Sequence, residues 1–308
     1  MKLKPVVMFG TVGALAITAF AACDQGARFA TAPEKASQAA TQDLVGTPDL
    51  VVDTHNMANS WVVVEEDFVQ GQCSVEEGNI PTGRHRSLRF SVLINNVGDA
   101  DLFVGDPLKH MDPNGDGDYA DQDGLFEFAS CHQHFHFRNY AKYELLRLNA
   151  DGTVGAPVQA RKRGFCMLDT TPQPSDASPP KGRYYMNCGN LTLHGNQGIS
   201  TGFGDMYVKQ LPGQLFLLSD PNEPVPPGKY MMRVTANPGF VPQNGEVCPV
   251  KDAQGLCHMF AEARYDNNVG QVMIDIPNRV GRTGYGPGAG QYKGEALDEA
   301  HHPEAHGH

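Results

Sequence analysis

Short apolar and β-branched runs separated by turns recur along the central part of the chain. In residues 88–94 the apolar side chains take every second position, which is the period of a strand with one buried face. The 34 Gly and 22 Pro of the sequence make turns frequent, which favours short strands over long helices. The pattern predicts an all-β, sandwich-like domain with long loops. Further strands are predicted at residues 50–53, 61–65, 140–148, 214–218, 230–236 and 272–276.

The N-terminal region has the composition of an export signal followed by a linker. Residues 1–22 place two lysines before an apolar run that is too short and too rich in Gly and Ala to favour a membrane-spanning helix. Cys23 follows two alanines, as at a bacterial lipoprotein cleavage site, so the alternatives are lipidation of Cys23, plain cleavage and an uncleaved anchor. Residues 23–46 lack apolar periodicity and predict a disordered linker. The protein is therefore expected to be exported, either secreted or tethered to a membrane surface by a lipid.

The rest of the chain is predicted to hold one domain and a tail. Residues 47–280 contain all the predicted strands, and a 308-residue chain that is 40% hydrophobic is long enough for a large core. Residues 281–308 are Gly-rich and then His-rich, which predicts a disordered tail. Its four histidines either belong to a solvated segment or collect metal weakly; they are His301, His302, His306 and His308.

The charge of the chain limits the classes of partner. A net charge of −11 gives no basic surface for nucleic acid. It attracts cationic partners instead, such as amines or Lys-rich proteins.

Three histidines at alternate positions form the strongest chemical signal in the chain. His132, His134 and His136 share one face of an extended segment, and imidazole nitrogen suits copper, zinc, iron and nickel. A fully extended strand holds the first and last of them roughly 13 Å apart at Cα, which is too far for two short bonds to one ion. If all three bind one metal, the chain must bend or bulge between them. The other interpretation is a surface strand that carries histidines, and the spacing alone does not choose the metal.

Several short motifs occur in an order that is specific to one family. Residues 130–136 read SCHQHFH, and residues 162–170 read KRGFCMLDT. The other motifs are QGISTGFGDMY at residues 197–207, PGKY at 227–230, YDNN at 265–268 and PDLV at 48–51. Each motif alone is weak, but their shared order resembles that of the lysyl oxidases, whose copper-binding run matches SCHQHFH. The resemblance extends from about residue 48 to residue 276 and implies copper bound by the three histidines of the run.

The resemblance has a departure beside the histidines. The family carries Trp-x-Trp-His before the run, whereas Phe126, Phe128 and Ala129 stand there in this chain. The missing fourth histidine lies outside the three-histidine ligand set, so copper binding is still expected. The aromatic packing and the access of substrate are the features that the departure puts in question.

The resemblance also implies that Lys162 and Tyr207 form a cofactor, lysyl tyrosylquinone. That chemistry needs a phenol that oxygen can oxidise near copper and an amine that can add to the ring. The two side chains must then lie close together and near the copper, although 45 residues separate them in sequence. The implied reaction is oxidative deamination of a primary amine, either peptidyl-lysine or a small amine, by molecular oxygen. The sequence does not identify the catalytic base, although Asp169 and Asp205 are near the cofactor residues in sequence.

Two groups of oxygen-bearing residues are candidate calcium sites. The first has the spacing of a calcium-binding loop, or is simply an acidic Gly-rich turn; it comprises Asp112, Asn114, Asp116, Asp118 and Asp123. In the second site, Arg264 stands where the family has Asp, which removes a ligand, and Asp266 is a candidate substitute. The remaining members of this second site are implied by the resemblance alone and are Asp49, the Leu50 carbonyl, Glu262, Asn267 and Asn268.

Six cysteines follow the predicted signal and its Cys23, which suits an exported, disulfide-bonded protein. Cys73 and Cys166 match family cysteines whose close partners are missing here, so they either bond to each other or remain buried thiols. Two bonds are expected among the others: Cys131–Cys188 from the resemblance, and Cys248–Cys257 from the short insertion that these two residues flank.

The most specific hypothesis is an exported, copper- and quinone-dependent amine oxidase that gives an aldehyde, hydrogen peroxide and ammonia. A non-catalytic copper-binding β-sandwich lipoprotein is the main alternative, and it would need neither Lys162 nor Tyr207. A three-histidine zinc hydrolase would instead need a metal-bound water and no quinone. Release of peroxide on addition of a simple alkyl amine separates the first hypothesis from the other two.

Overall fold

Antiparallel strands in several small sheets make up most of the protein. The structure is a computed structural model and describes residues 46–173, 182–243 and 246–296. The predicted all-β fold with long loops is confirmed. The helices are α1 (Thr54–Ser60), α2 (Cys73–Glu76) and α3 (Pro107–Met111), with a 3₁₀ turn at Tyr119–Asp121. The strands are β1 (Leu50–Val52), β2 (Val62–Phe68), β3 (Gly83–Arg89), β4 (Val92–Asn96), β5 (Leu102–Gly105), β6 (Phe126–Ala129), β7 (His134–Arg138), β8 (Ala141–Leu148), β9 (Val154–Gln159), β10 (Gly164–Phe165), β11 (Thr171–Pro172), β12 (Gln197–Ile199), β13 (Phe203–Tyr207), β14 (Leu215–Leu217), β15 (Gly228–Ala236), β16 (Val250–Lys251), β17 (Cys257–His258) and β18 (Val269–Ile276).

The predicted leader, Cys23, the linker up to residue 45 and the four tail histidines lie outside the described residues. Within the described part of the chain, no helix has the length and apolar character needed to span a membrane.

Two four-stranded sheets carry the largest part of the core. One has the strand order β1-β4-β13-β11 and the other the order β18-β15-β8-β9. Buried and exposed positions alternate along β15 and β18, as expected for strands with one face on a core. A three-stranded sheet of order β10-β7-β6 carries the histidine run. Another of order β14-β3-β2 contacts the residue before Lys162, because the Arg161 N–H donates to the Leu215 carbonyl at 2.9 Å.

The predicted strand at residues 88–94 is two strands in different sheets. β3 pairs with β2 and β14, whereas β4 pairs with β1 and β13. The chain crosses between the sheets at Phe90 and Ser91. The Phe90 ring stacks on Phe216 at 5.0 Å and meets the edge of Tyr143 at 5.2 Å between ring centroids. The apolar alternation therefore continues because both sheets share one core, although the backbone pairing changes.

Residues 281–296, hereafter the C-terminal strap, pack against β2, so this part of the predicted disordered tail is corrected. Tyr285 and Val63 exchange backbone hydrogen bonds of 2.8 and 2.9 Å. Gly286 has a φ of +123°, and a Cβ there would lie 2.5 Å from the Trp61 ring. A Gly-rich composition predicts disorder, but glycine in the strap permits a close approach to the Trp61 ring.

Candidate metal centre and cofactor residues

The three histidines of the run converge, as the metal hypothesis requires. Their ring centroids are 5.0 Å apart for His132 and His136, 4.9 Å for His134 and His136, and 5.7 Å for His132 and His134. The bend lies at Gln133, which has a φ of +58° and donates its N–H to the Ala129 carbonyl at 2.8 Å. This turn places His132 before β7, while His134 and His136 lie on the strand. The expected bend between the histidines is confirmed, and Phe135 between them is fully buried in the core.

Glu77 is a fourth member of the group that the sequence interpretation missed. Its Oε2 lies 2.6 Å from His132 Nδ1, and its Oε1 accepts the Cys131 N–H at 2.6 Å. Within the described ranges, Glu77, His132 and His136 are the set of His, Cys, Asp or Glu whose ligand atoms all lie within 4.8 Å of one another. Burial would raise the pKa of Glu77, but hydrogen bonding to His132 and the other nearby donors lowers it overall. No spacing motif marks Glu77, and its position four residues after Cys73 becomes a signal only once the Cys73–Cys131 bond is known.

A disulfide brings Glu77 to the histidine run. Cys73 on α2 bonds to Cys131, the residue before His132, and this bond anchors the helix that precedes Glu77. The second bond joins Cys166 to Cys188, and the third joins Cys248 to Cys257 as predicted.

The expected Cys131–Cys188 bond and the proposed Cys73–Cys166 alternatives are therefore wrong. Cys131 bonds to Cys73 because α2 lies beside the histidine turn. Cys188 bonds to Cys166 because the segments of these two residues lie side by side. The resemblance leaves Cys73 and Cys166 without their family partners, but each bonds instead to a cysteine from another segment, Cys131 and Cys188 respectively.

Gly164 on β10 forms the back wall for His136. β10 pairs with β7, and Gly164 lies opposite Arg138 in the register. A Cβ at Gly164 would lie 2.5 Å from His136 Nδ1 and 2.8 Å from its Cγ. Glycine at this position therefore gives the His136 ring the space in which it meets the other two imidazoles.

The donor set fits copper or zinc. Imidazole nitrogens suit these ions, while hard cations such as calcium and magnesium prefer oxygen ligands. A carboxylate on the second ring nitrogen of a metal-binding histidine fixes its tautomer and orientation, which is the position of Glu77 relative to His132.

Lys162 and Tyr207 lie close together, as predicted. The Lys162 Nζ is 5.8 Å from the centroid of the Tyr207 ring, and both side chains are almost fully buried. Lys162 also lines a cavity of about 70 Å³ together with His132, His136 and Glu77. The amine, the phenol ring and the histidines thus belong to one region of the protein.

The Tyr207 ring is fixed by aromatic neighbours and by its hydroxyl. The hydroxyl donates to the Cys166 carbonyl at 2.7 Å. The ring meets the edge of Phe165 at 5.2 Å and lies 6.3 Å from the Tyr140 ring. Tyr207 comes from β13 and Phe165 from β10, so two sheets meet at this ring.

The two carboxylates near the cofactor residues have different environments. Asp169 accepts hydrogen bonds from the Ser200 N–H and hydroxyl, both at 2.7 Å, and from the Tyr184 N–H at 2.8 Å, so it holds loops together. Asp205 is fully buried, and burial raises its pKa well above the ordinary range, although interactions with the Tyr207 hydroxyl and other donors lower it in part. Burial therefore favours the protonated form of Asp205 beside the Tyr207 ring.

A second, larger cavity reaches Lys162 from another side. Its volume is about 390 Å³, and it is lined by polar, charged and aromatic side chains. Lys162 and Arg163 contribute to it, with Phe240 and Glu246 among its other lining residues. A small amine or a side chain is of a size to occupy such a cavity.

The predicted calcium loop forms an exposed turn after α3. The Asp112 carboxylate accepts the N–H groups of Gly115 at 2.8 Å and Gly117 at 2.9 Å, and Asp123 Oδ2 lies 2.6 Å from His110 Nδ1. Asn114, Asp116 and Asp118 each accept the N–H two residues further along. The side-chain oxygens thus cap backbone donors, and whether the loop binds calcium stays a prediction.

The members of the second calcium site lie close together in the structure, although they come from the two ends of the domain sequence. Glu262 accepts the Leu50 N–H at 2.7 Å and the Asn268 amide at 2.8 Å, and Asn267 donates to Asp49 at 2.9 Å. The side-chain oxygens of Asn267 and Asn268 are buried and accept no hydrogen bond from the described residues. Carboxylate and amide oxygens are the ligands that calcium prefers, so this donor set fits that ion.

Asp266 does not replace the missing ligand of this site. Its carboxylate pairs with Arg264 at 3.0 Å, and both side chains are substantially exposed. The proposed substitution by Asp266 is therefore wrong, because the arginine that displaced the family aspartate holds the Asp266 carboxylate at the surface.

Residues 48–272 are similar to known proteins, and match the family model described as Lysyl oxidase. The protein named Lysyl oxidase homolog 2 of Pongo abelii is 30% identical over 205 residues, which are 63% of this chain and 22% of that protein. The Protein-lysine 6-oxidase of Homo sapiens is 27% identical over 207 residues, which are 64% of this chain and 42% of that protein. The match spans less than half the length of both relatives.

Proposed function

This chain belongs to the lysyl oxidase family, and on that premise we propose that it is a copper- and quinone-dependent amine oxidase. The observation that carries the proposal is the cavity that His132, His136 and Lys162 share, with the Tyr207 ring 5.8 Å from the Lys162 amine. A copper carrier needs the histidines but has no use for a buried lysine beside a buried tyrosine.

The chain's own residues would hold one copper ion through His132, His134 and His136, with Glu77 orienting His132. Copper held there would supply oxygen-dependent oxidation chemistry to the neighbouring phenol, and lysyl tyrosylquinone would supply an electron sink for the oxidation of a primary amine. Its formation would join the Lys162 nitrogen to a ring carbon of Tyr207 and oxidise the ring. Molecular oxygen is the oxidant, with water and hydrogen peroxide as its reduced products.

The proposed turnover converts a primary amine, oxygen and water into an aldehyde, ammonia and hydrogen peroxide. The protein contributes position and proton transfer. The core around Phe165 and Tyr140 holds the Tyr207 ring in place and excludes bulk water. Asp205 is fully buried beside the ring, so it is the carboxyl best placed to exchange a proton there.

The proposed substrate is a primary amine, and the 390 Å³ cavity is its proposed entry to Lys162. Peptidyl-lysine is one candidate because the relative named Protein-lysine 6-oxidase carries that substrate in its name. A small alkyl amine is the other. The net charge of −11 favours the approach of both cations.

We propose an extracytoplasmic location and structural calcium. The three disulfides are of the kind that persist in oxidising compartments and indicate an extracellular protein. A lipid on Cys23 would tether the domain to a membrane surface. Calcium held by Asp49, the Leu50 carbonyl, Glu262 and the two asparagines would tie the start of the domain to its end.

The test begins with copper-loaded protein. We expect visible quinone absorption, an intact mass that shows the cross-link, a joined peptide containing Lys162 and Tyr207, and release of peroxide on addition of a simple alkyl amine. Tyr207→Phe and Lys162→Arg should each abolish colour and turnover while copper remains bound, because a guanidinium stays protonated and cannot attack the ring.

Matched controls use exposed residues of the same types. Tyr184→Phe and Lys251→Arg should leave colour and turnover at the wild-type level, since both side chains are exposed. If Tyr207→Phe oxidises amines at the wild-type rate, the enzyme proposal fails. Copper binding without colour or peroxide in the wild-type protein would favour the alternative, a non-catalytic copper-binding protein.

A further inference from the structure

The C-terminal strap ends in a buried ion-pair network. Arg89 on β3 is fully buried, and its Nη2 lies 2.7 Å from Glu295 Oε2 of the strap. Glu66 on β2 holds the Arg89 Nε at 2.9 Å and accepts a hydrogen bond of 2.6 Å from the Tyr292 hydroxyl, also of the strap. A buried guanidinium needs such partners, because removal of one leaves a charge uncompensated away from water.

Glu295 also reaches the turn at residues 211–213 through Ser74 on α2. The Ser74 hydroxyl donates to Glu295 Oε2 at 2.5 Å and accepts the Gly213 N–H at 2.7 Å. Arg89 Nη1 donates to the Leu211 carbonyl at 3.0 Å. The network therefore holds the turn at both of its ends, and Glu295 contacts both holding residues.

The same turn lies next to the backbone of Lys162, at a distance that a single added methyl would span. A Cβ on Gly213 would lie 3.4 Å from the Lys162 nitrogen and 3.5 Å from its Cα. Pro212 and Gly213 line the 70 Å³ cavity together with Lys162 and His132. The turn that the Glu295 network holds therefore borders both the Lys162 backbone and the cavity that Lys162 lines.

We propose that Glu295 is a positioning residue for Lys162. It completes the buried network around Arg89 and Ser74 that holds the 211–213 turn against Lys162, so that the amine stays within reach of the Tyr207 ring. The inference rests on the proposed function, because the cross-link between Lys162 and Tyr207 is what the positioning serves.

The first experiment compares Glu295→Ala with Lys293→Ala, a matched control at an exposed position of the same strap. Copper is added to each protein, and the copper content, the unfolding midpoint and the rate of appearance of the cross-linked Lys162 peptide are measured. In Glu295→Ala the cross-link should form about ten- to a hundredfold more slowly, since a misplacement of roughly 1 Å costs that much. Copper content should stay at the wild-type level, and Lys293→Ala should match the wild type throughout.

A wild-type rate of cross-linking in Glu295→Ala would overturn the inference. So would a loss of cross-linking that merely follows a loss of copper or of folded protein, because that would be a general structural effect. The milder Ser74→Ala provides a second route should Glu295→Ala not fold. It should slow cross-linking in the same way. The double variant Ser74→Ala with Glu295→Gln should be slowed by less than the product of the two single factors, since the two changes share the Ser74–Glu295 contact.

A measurement on copper-free protein separates this inference from the proposed function. Hydrogen exchange of the Gly213 amide should be faster in Ser74→Ala and Glu295→Gln than in the wild type and Lys293→Ala, because the amide loses or loosens its acceptor. Unchanged exchange would refute the positioning role. A wild-type protein that binds copper but forms no cross-link would refute the proposed function instead, whatever the exchange rates are.

Discussion

At the scale of single residues, the metal centre depends on side chains that no motif marks. The histidines are visible from their spacing, but the bend that makes them converge is at Gln133, with a φ of +58°. Glu77, which contacts His132 at 2.6 Å, is brought there by a disulfide and a short helix. Only contacts between remote segments reveal such a residue, whereas a ligand run shows itself in the local sequence.

Glu77→Gln should weaken copper binding without unfolding the protein. The amide cannot accept hydrogen bonds on both atoms, so His132 loses its fixed orientation, and loss of such a partner lowers metal affinity about 10- to 100-fold. The measurement is a competition titration of copper against a chelator. Glu76→Gln, one residue earlier and exposed, is the matched control and should bind like the wild type. Equal affinities for the two variants would show that Glu77 does not support the centre.

His134→Ala should abolish stoichiometric copper. His134 is less buried than His132 and His136, but its ring completes the group of three imidazoles, with its centroid 4.9 Å from that of His136. The variant is best measured in a protein that ends at residue 296, so that the tail histidines hold no copper. His194→Ala, whose side chain is 78% exposed, serves as the control and should retain one copper. Tight binding of one copper by His134→Ala would mean that the ligand assignment is wrong.

At the scale of elements, the sequence predicts strands well where one alternating run corresponds to one strand of one sheet. β15 and β18 include their predicted runs and alternate between buried and more exposed positions, because each has one face on the core. β8 matches its predicted run to within one residue, although both of its faces are buried at residues 143–146. The run at residues 88–94 was predicted as one strand and is two, since periodicity reports burial and not hydrogen-bond partners.

The C-terminal strap was missed for a related reason. Its glycines have the composition of a flexible tail, but Gly286 lies against the Trp61 ring where no side chain fits. Composition cannot distinguish glycine that frees a chain from glycine that permits close packing. The Cys131–Cys188 bond that the resemblance implies is also wrong. The position of α2 beside Cys131 decides the pairing, and the sequence does not show that position.

Gly164→Ala tests how β10 shapes the centre. The added methyl would lie 2.5 Å from His136 Nδ1, so the ring or the strand must move. We expect copper affinity to fall and the apo-protein to lose roughly 1–3 kcal/mol of unfolding free energy, as overpacking usually costs. Copper titration and chemical denaturation measure both quantities. Gly182→Ala, which has open space around it, should change neither; a Gly164→Ala protein with wild-type copper affinity would refute the role assigned to this wall.

At the scale of the whole molecule, residues near the two ends of the domain sequence contact each other and contact the strands between them. Glu262 binds the Leu50 N–H across 212 positions of sequence, and Glu295 reaches Arg89 from the C-terminal strap. These long-range contacts involve buried titratable groups, which makes them sensitive to pH and to cations in a way that the apolar core is not.

The stability of the calcium-free protein should therefore fall as pH rises through the range set by Glu262. Burial raises the pKa of Glu262 from 4.5 to about 8, although hydrogen bonds from Asn237, Leu50 and Asn268 oppose the rise. Between these two values the folded state holds a proton that the unfolded state has released, so the unfolding free energy declines with increasing pH and levels off above pH 8. Asp205, also raised, contributes a decline of the same sign.

Calcium distinguishes the contribution of Glu262 to the pH dependence of stability from that of Asp205. A cation at the second calcium site would favour ionised Glu262, so chemical denaturation in calcium should show a flatter pH profile than denaturation in chelator. Glu262→Gln should remove the calcium-dependent part and leave the part due to Asp205, because the amide neither titrates nor binds the ion as strongly. Identical profiles with and without calcium in the wild-type protein would mean that this network closes the domain by hydrogen bonds alone. In that case the buried asparagine oxygens would have a role other than metal binding.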